Sequence, residues 1–255
     1  MTYERATYSS RHMQLYLRMR SAAVGGLIER HAHAMNRRLR ILEVGCGPGL
    51  TLQHVAQSHE RRLVVGLDDE PVMLHRARET THLAHNPVNL VRARVPRLPF
   101  GDATFDVVYA TRFIHQFRDK AAVYAELSRI ATPDGLVILE FYRRPYHAAR
   151  FYAHSPDDDR TEFLTHSPSL AEVRTVVGPG AEYVPLRLAG SRLLCAFVGE
   201  QWTGWLAERA WRRPWRVLVD EYLTVVDRGR ALSRQPSSVR IATHRKKVSV
   251  PEAGG

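Results

Sequence analysis

Residues 41–49, which read ILEVGCGPG, constrain the fold of this chain more than any other segment. An apolar stretch runs into a turn that has glycine at every second position, and a helical pattern follows over 50–58. Glycine adopts positive φ readily, and its lack of a Cβ lets a ligand approach the backbone. A strand, a glycine turn and a helix form the ligand-binding unit of doubly wound α/β folds. The spacing here is GxGxG behind a glutamate, which differs from the GxGxxG of dinucleotide-binding turns.

A second apolar strand, residues 62–67, ends at Asp68, 19 residues after Gly49. That is where a ribose-binding carboxylate belongs in a βαβ unit. Four blocks follow one another in order: ILEVGCGPG, VVGLDDEPVML, LPFGDATFDVVYATRFIHQF and ELSRIATPDGLVILEF. Together they resemble the class I S-adenosylmethionine-dependent methyltransferases, most closely the small-molecule subgroup that includes quinone and natural-product methyltransferases. The resemblance covers roughly residues 40–142, and it implies a last strand at 238–248.

Hydrophobic periodicity predicts alternating helices and strands over most of the chain. Strands are expected near 39–44, 62–68, 88–95, 105–110, 136–142 and 182–188, and helices near 13–35, 50–58, 71–84, 119–131 and 169–177. The sequence Pro-Asp-Gly at 133–135 predicts a turn. We therefore expect an α/β fold with a doubly wound, mostly parallel seven-stranded sheet and a helical insertion before the last strand. The expected units are an N-terminal helical cap (1–38), a cofactor-binding core (39–189), the insertion (190–235), and the last strand with the tail (236–255).

The expected insertion carries two helical patterns of apolar residues. The first pattern comprises Leu193, Leu194, Phe197, Val198, Trp202, Trp205 and Leu206, and the second comprises Trp215, Leu218, Val219, Tyr222, Leu223 and Val226. All four tryptophans lie between 202 and 215, among several arginines. Three interpretations stay open: a helical hairpin packed on the domain or joining a homodimer, a lid over an apolar substrate pocket, or peripheral contact with a membrane through 197–216.

Composition narrows the class of protein. The 255 residues contain no apolar run of 18 or more, and the first residues are polar and charged, so we expect neither a transmembrane helix nor a signal peptide. Two cysteines are too few for a disulfide framework and fit a reducing cytoplasm. The net charge of +11 raises the question of nucleic-acid binding, but no run of five or six like charges exists. We expect a solvated basic surface and a small-molecule partner.

The resemblance assigns the cofactor contacts. The turn that would hold the methionine part of S-adenosylmethionine, and of the product S-adenosylhomocysteine, consists of Glu43, Gly45, Cys46, Gly47 and Gly49. Asp68 would accept hydrogen bonds from the ribose hydroxyls, although an acid after a strand also caps the following helix. Asp69 either lines the adenine pocket or faces solvent.

One position departs from the pattern of the family. Relatives usually have an aspartate that accepts a hydrogen bond from the adenine amino group, and this chain has Arg94 there. Arginine only donates hydrogen bonds. The amide of Val95 could still reach the ring, with Arg94 either stacked on adenine or turned outward.

The segment 111–117 after the fourth predicted strand would face the transferable methyl group, with Thr111 against the cofactor. Methyl transfer depends mainly on positioning of the two reactants, and a base helps when the acceptor must lose a proton. His115 is the candidate base, and a structural histidine bonded to backbone is the equal alternative. Candidate acceptor contacts are Tyr8, Arg112, His115, Arg143 and Tyr146. We expect no metal, because no HExxH or CxxC spacing occurs.

The expected activity is methyl transfer from S-adenosylmethionine to oxygen, nitrogen or carbon of a small, apolar or aromatic metabolite in quinone-type or specialised natural-product metabolism. Two alternatives stay open. One is an RNA or protein methyltransferase, suggested by the positive charge. The other is a non-methylating cyclase or scaffold subunit, suggested by Arg94.

Overall fold

The computed structural model describes residues 11–58, 62–142, 168–188 and 219–229. The helices are α1 (Arg11–Met35), α2 (Leu50–Ala56), α3 (Pro71–Thr81), α4 (Lys120–Ile130) and α5 (Leu170–Val177). The strands are β1 (Arg40–Val44), β2 (Leu63–Asp68), β3 (Val88–Arg92), β4 (Phe105–Ala110), β5 (Ala131–Tyr142), β6 (Glu182–Leu188) and β7 (Val219–Asp227). A short 3-10 helix, Ile114–Gln116, follows β4.

The seven strands form one sheet in the order β3-β2-β1-β4-β5-β7-β6. Strands β1 to β5 are parallel, whereas β7 pairs antiparallel with both β5 and β6. The predicted mostly parallel, seven-stranded sheet is confirmed. The order reverses between β1 and β4, and ligands of open α/β sheets bind in the crevice beyond the carboxyl ends of the strands at such a point. The glycine turn after β1 and the segment after β4 lie on its two sides.

Both faces of the sheet are covered, which explains the continuous apolar runs in the strands. Leu42 and Val108 belong to a buried cluster that includes residues of α4 and α5. Ile41 and Val107, their neighbours in β1 and β4, belong to a second cluster that includes residues of α1. Successive side chains of a strand point to opposite faces, so α1 covers one face of the sheet, and α4 and α5 cover the other.

Strand β5 begins five residues before the predicted start at 136. Ala131 pairs with Phe105, and the next pair is Leu136 with Val107, so the register shifts between them. Residues 132–135 of β5 thus lie opposite Asp106 alone. The predicted Pro-Asp-Gly turn at 133–135 is therefore a bulge within the strand. A Cβ at Gly135 would lie 2.9 Å from the carbonyl oxygen of Asp106, so this bulge requires glycine.

The predicted second helix of the insertion is wrong over 219–227, because this stretch is β7, a strand between β5 and β6. Leu223 and Val225 are buried on the α1 face, and Val226 is buried on the other face. An apolar run that is buried on both sides looks the same in sequence whether it is a strand or a helix. The seventh strand is therefore 219–227. The predicted first helix (193–206) and the predicted strand at 238–248 lie outside the described residues.

Candidate functional site

The glycine turn has the left-handed backbone that its sequence predicts. Gly45, Gly47 and Gly49 have φ of 70°, 50° and 78°. The amide of Cys46 donates to Leu67 O at 2.9 Å, and the amide of Gly49 donates to Cys46 O at 3.0 Å, which anchors the turn to β2 and closes it on itself. Apart from Gly47 itself and its two neighbours in the chain, no described residue has an atom within 4 Å of the place where a Cβ of Gly47 would stand. The backbone at Gly47 is therefore open to a ligand.

Asp68 lies beside this turn, at the carboxyl end of β2. Its Oδ2 accepts a hydrogen bond from the amide of Gly47 at 2.8 Å, and its Oδ1 accepts one from the amide of Glu70 at 3.0 Å. The Glu70 bond fixes the residue that precedes α3, but the N-cap of that helix is Glu70, and no side chain caps its first turn, so Asp68 does not act as the helix cap. A carboxylate has about four acceptor positions, and these two bonds use half of them.

Asp69 and Arg94 form an ion pair at the same edge of the sheet. Arg94 Nε donates to Asp69 Oδ2 at 2.8 Å, and Arg92 Nε donates to the Asp69 carbonyl oxygen at 3.1 Å. The Arg94 side chain is 79% exposed, whereas Val95 is buried. Arg94 thus turns outward to Asp69, and Val95 turns toward the core.

A group of buried polar residues lies behind the glycine turn; we call Arg20, Glu43, Tyr109, Thr111 and Glu140 the carboxyl-edge cluster. The Glu43 carboxylate accepts hydrogen bonds from Tyr109 Oη at 3.1 Å and Thr111 Oγ1 at 3.2 Å. Arg20 Nη1 lies 3.6 Å from Glu140 Oε2. Burial raises the pKa of Glu43 to about 8, against the opposing influence of Arg20 and of the two hydrogen bonds.

Three members of this cluster, Arg20, Tyr109 and Glu140, were missing from the sequence-based candidates. Glu140 is a carboxylate inside the apolar run of β5, and Arg20 lies on the buried side of α1. Buried charges are rare unless they are paired. A charged residue inside an apolar strand is the one signal that could have identified Glu140, whereas Arg20 gives no such signal on its own.

The segment after β4 bends back toward the glycine turn. Arg112 has φ of 52°, and its amide donates to Glu140 Oε2 at 2.8 Å. The next ring, Phe113, occupies the space that a Cβ of Gly45 would fill, so a side chain at Gly45 would collide with it. Phe113 also pairs with Phe117, with the ring centroids 4.9 Å apart. Phe113 is a site residue that the sequence-based list lacks.

The candidate base His115 lies in the 3-10 helix and is buried. Its role as a base stays a prediction. Tyr8, Arg143, Tyr146 and the tryptophan-rich stretch 197–216 lie outside the described residues. Within the described ranges, no group of three or more histidine, cysteine or acidic side chains is placed to hold a metal ion. None of the described helices is both long and apolar enough to span a bilayer.

Comparison with known proteins agrees with this geometry. Residues 42–139 match the family model described as "Methyltransferase domain". The malonyl-[acyl-carrier protein] O-methyltransferase of Legionella pneumophila is 29% identical over 50% of this chain and 48% of its own length. The demethylmenaquinone methyltransferase of Deinococcus radiodurans is 33% identical over 40% of this chain and 43% of its own. The chain thus spans about half the length of these curated relatives, and their names do not favour the cyclase, scaffold, RNA or protein alternatives.

A crystal structure of the plantazolicin methyltransferase BpumL, in complex with a triazolic analogue and S-adenosylhomocysteine, has the same fold. Its TM-score is 0.59 at 12% identity, and the match covers 87% of this chain and 88% of that one. At this identity the likeness concerns the fold alone.

Proposed function

We propose that this chain, whose residues 42–139 match the methyltransferase-domain family model, is a class I S-adenosylmethionine-dependent methyltransferase that transfers a methyl group to a small, apolar or aromatic acceptor. One observation carries the proposal: the open backbone of Gly47 is hydrogen bonded to Asp68 at the point where the strand order reverses. The name of one relative, demethylmenaquinone methyltransferase, supports a small acceptor, and the name of another, malonyl-[acyl-carrier protein] O-methyltransferase, supports oxygen as a methylated atom. The rings of Phe113 and Phe117 support an apolar one.

The residues present fit this cofactor. The acceptor positions left on Asp68 suit the two ribose hydroxyls, because a carboxylate accepts two hydrogen bonds at once. The turn of Gly45, Cys46, Gly47 and Gly49 would hold the methionine part, with Glu43 and Thr111 behind it. Bound S-adenosylmethionine supplies an electrophilic methyl group on a positively charged sulfur. Behind the turn, Arg20 is paired with Glu140 and Glu43 holds its proton near neutral pH, so the buried polar groups there carry little net charge.

The Arg94–Asp69 pair suggests how the adenine end works despite the departure from the family pattern. The carboxylate of Asp69 lies within hydrogen-bonding distance of residue 94, where relatives have their aspartate. Arg94 uses Oδ2 of this carboxylate. We infer that Oδ1 accepts the bond from the adenine amino group, with the Val95 amide on the neighbouring ring nitrogen.

The chain's own contribution to the reaction is mainly orientation. Methyl transfer needs the acceptor atom in line with the bond that breaks, so a dry and preset pocket contributes most of the rate. If the acceptor is a hydroxyl or an amine, a base must also remove its proton, and His115 is the proposed group. The segment that carries His115 is tied to Glu140 through the Arg112 amide, which keeps the loop in place.

Calorimetric titration with S-adenosylmethionine and S-adenosylhomocysteine tests the cofactor site. We expect wild-type protein to bind both, and Asp68→Asn to weaken binding of both by roughly tenfold to a hundredfold, because hydrogen bonds to a charged group are lost. Asp102→Asn is the matched control, since Asp102 is an exposed acid paired with Arg129 away from the turn. Absence of binding by the wild-type protein would overturn the proposal.

Transfer itself requires a second experiment. Protein incubated with S-adenosylmethionine labelled on its methyl group is offered neutral quinols, phenols and amines, and label in the extracted acceptor is counted. Labelling that disappears in Asp68→Asn supports the proposal. Cofactor binding without transfer to any acceptor of these classes would instead favour the cyclase or scaffold alternative.

A further inference from the structure

The ring of Phe113 lies on the first glycine of the turn. It occupies the space over Gly45 that a Cβ would need, and Gly45 itself has a φ of 70°. Phe113 is half-buried and packs on the core cluster that covers one face of the sheet. One part of the ring therefore contacts the core, and the other part borders the crevice above the turn.

Two buried carboxylates fix the segment that presents this ring. Thr111, two residues before Phe113, donates to Glu43, and the amide of Arg112 donates to Glu140. Glu43 and Glu140 are 1% and 0% exposed, respectively. Phe117 packs against the same ring, with the centroids 4.9 Å apart and the ring planes tilted by 54°. The ring is thus positioned by contacts from both ends of its segment.

An aromatic face attracts a cation because the face of the ring carries negative charge. The proposed cofactor has its positive charge on sulfur, at the methionine end that the glycine turn would hold. Its product lacks both that charge and the transferred methyl group and otherwise has the same covalent structure. We propose that Phe113 forms the aromatic wall of the sulfur subsite and selects the charged cofactor over the neutral-sulfur product. This inference rests on the proposed function.

The selection matters for turnover, since the product must leave before a new cofactor enters. A wall that holds the sulfonium more strongly than the thioether favours exchange in the productive direction. The carboxyl-edge cluster does not make this distinction, because Arg20 is paired with Glu140 and Glu43 holds a proton near neutral pH, which leaves little net charge behind the turn. Phe113 is therefore expected to influence the ratio of the two affinities more than either affinity alone.

The test is the ratio of the dissociation constants of S-adenosylhomocysteine and S-adenosylmethionine, measured by calorimetry. Phe113→Leu keeps an apolar side chain and removes the ring, so we expect the ratio to fall by roughly twofold to thirtyfold. Phe113→Tyr keeps the ring face and should retain the wild-type ratio. Phe100→Leu is the matched control, because Phe100 is also half-buried, packs on the same cluster and pairs with another ring, Phe105.

The outcomes separate this inference from the proposed function. If wild-type protein binds neither ligand, the proposed function fails. If it binds both and Phe113→Leu leaves the ratio unchanged, the aromatic wall is overturned while the proposed function stands. Should Phe113→Leu not fold, as judged by thermal unfolding, Phe113→Met provides the ring-free side chain in a more adaptable form, and an unchanged ratio there overturns the inference equally.

Discussion

Two clusters of charged residues lie at opposite ends of the parallel strands, and each contains a buried carboxyl group in a different electrostatic environment. The carboxyl-edge cluster sets Glu43 and Glu140 against the guanidinium of Arg20. At the other edge is the amino-edge cluster, which we define as Arg37, Arg40, Asp106 and Asp134. There the buried Asp106 accepts hydrogen bonds from the amide and Nε of Arg40 at 2.8 and 3.2 Å, and it pairs with Arg37 at 2.9 Å.

The two edges shift carboxyl pKa values in opposite directions. Burial raises the pKa of Glu43 to about 8. Burial also acts to raise the pKa of Asp106, but the hydrogen bonds and charges of Arg40 and Arg37 outweigh it and hold the pKa below its ordinary value. A carboxylate that is fully paired stabilises a fold, whereas one with a raised pKa is typical of a place where a ligand or a reaction needs it. The raised pKa of Glu43 is therefore typical of a functional site, and the lowered pKa of Asp106 is typical of a structural ion pair.

The largest expected effect comes from removing the cation of the carboxyl-edge cluster. Arg20→Met removes the guanidinium that pairs with the buried carboxylate of Glu140, and breaking a buried ion pair in this way costs about 3–5 kcal/mol. We expect the free energy of unfolding, measured with urea, to fall by that amount. Arg37→Met is the matched control, because the Arg37 side chain is 44% exposed. An equal loss in both variants would show that the two edges do not differ as argued.

The pH dependence of stability offers a sharper comparison. Between the ordinary carboxyl pKa of 4.5 and about 8, the folded state holds a proton on Glu43 that the unfolded state has lost. Stability should therefore fall as pH rises through this interval, by roughly 1.4 kcal/mol per pH unit at most. Glu43→Gln removes this titration, so the free energy of unfolding of the variant, relative to that of the wild type, should rise from pH 5 to pH 8. Parallel unfolding profiles over that range would contradict the raised pKa.

At the amino edge the sign is opposite. The pKa of Asp106 is lowered, so its contribution is present at neutral pH and is lost as pH falls through the folded-state pKa. Asp106→Asn should reduce the free energy of unfolding at pH 7 by about 1–3 kcal/mol. The difference from wild type should shrink below pH 4. Asp102→Asn, a change in an exposed acid, should leave the free energy of unfolding nearly unchanged. If both changes lowered it equally, the stability would not depend on the burial and pairing of Asp106.

The same contrast explains what could be predicted from sequence. The glycine turn and Asp68 were predictable because a strand, a turn and a helix that follow one another carry their own signals. The ion pair of the carboxyl-edge cluster was not predictable, because Arg20 and Glu140 are 120 residues apart in sequence and meet only in the folded protein. The sequence analysis selected His115 and not Phe113 in this segment, because a histidine can act as a base and a phenylalanine has no ionisable group.

Strand β7 shows a different limit. Its residues fit a helical pattern as well as a strand, because both of its faces are buried. The choice is made by β5, which leaves an unpaired edge that β7 fills along 136–142. Periodicity does not show which strands pair when they are far apart in sequence, so β7 was missed, although its antiparallel neighbour β6 was predicted at its observed position, 182–188.

The smallest effect is expected at the exposed pair of Asp69 and Arg94. Because Arg94 is largely exposed, Arg94→Gln should change the free energy of unfolding by less than about 1 kcal/mol. The effect should appear in binding instead. If Asp69 accepts a hydrogen bond from the adenine amino group, Asp69→Ala should weaken binding of S-adenosylhomocysteine by roughly twofold to tenfold.

An analogue with hypoxanthine in place of adenine isolates this contact, because it carries an oxygen where adenine has its amino group. Asp69→Ala should leave the affinity for S-inosylhomocysteine unchanged or improve it, since the loss of a carboxylate removes repulsion from that oxygen. Glu70→Ala removes a neighbouring exposed acid and serves as the control for charge alone. If Asp69→Ala lost affinity for both ligands equally, Asp69 would support the pocket only by holding Arg94. The Val95 amide would then be the group that contacts the edge of the adenine.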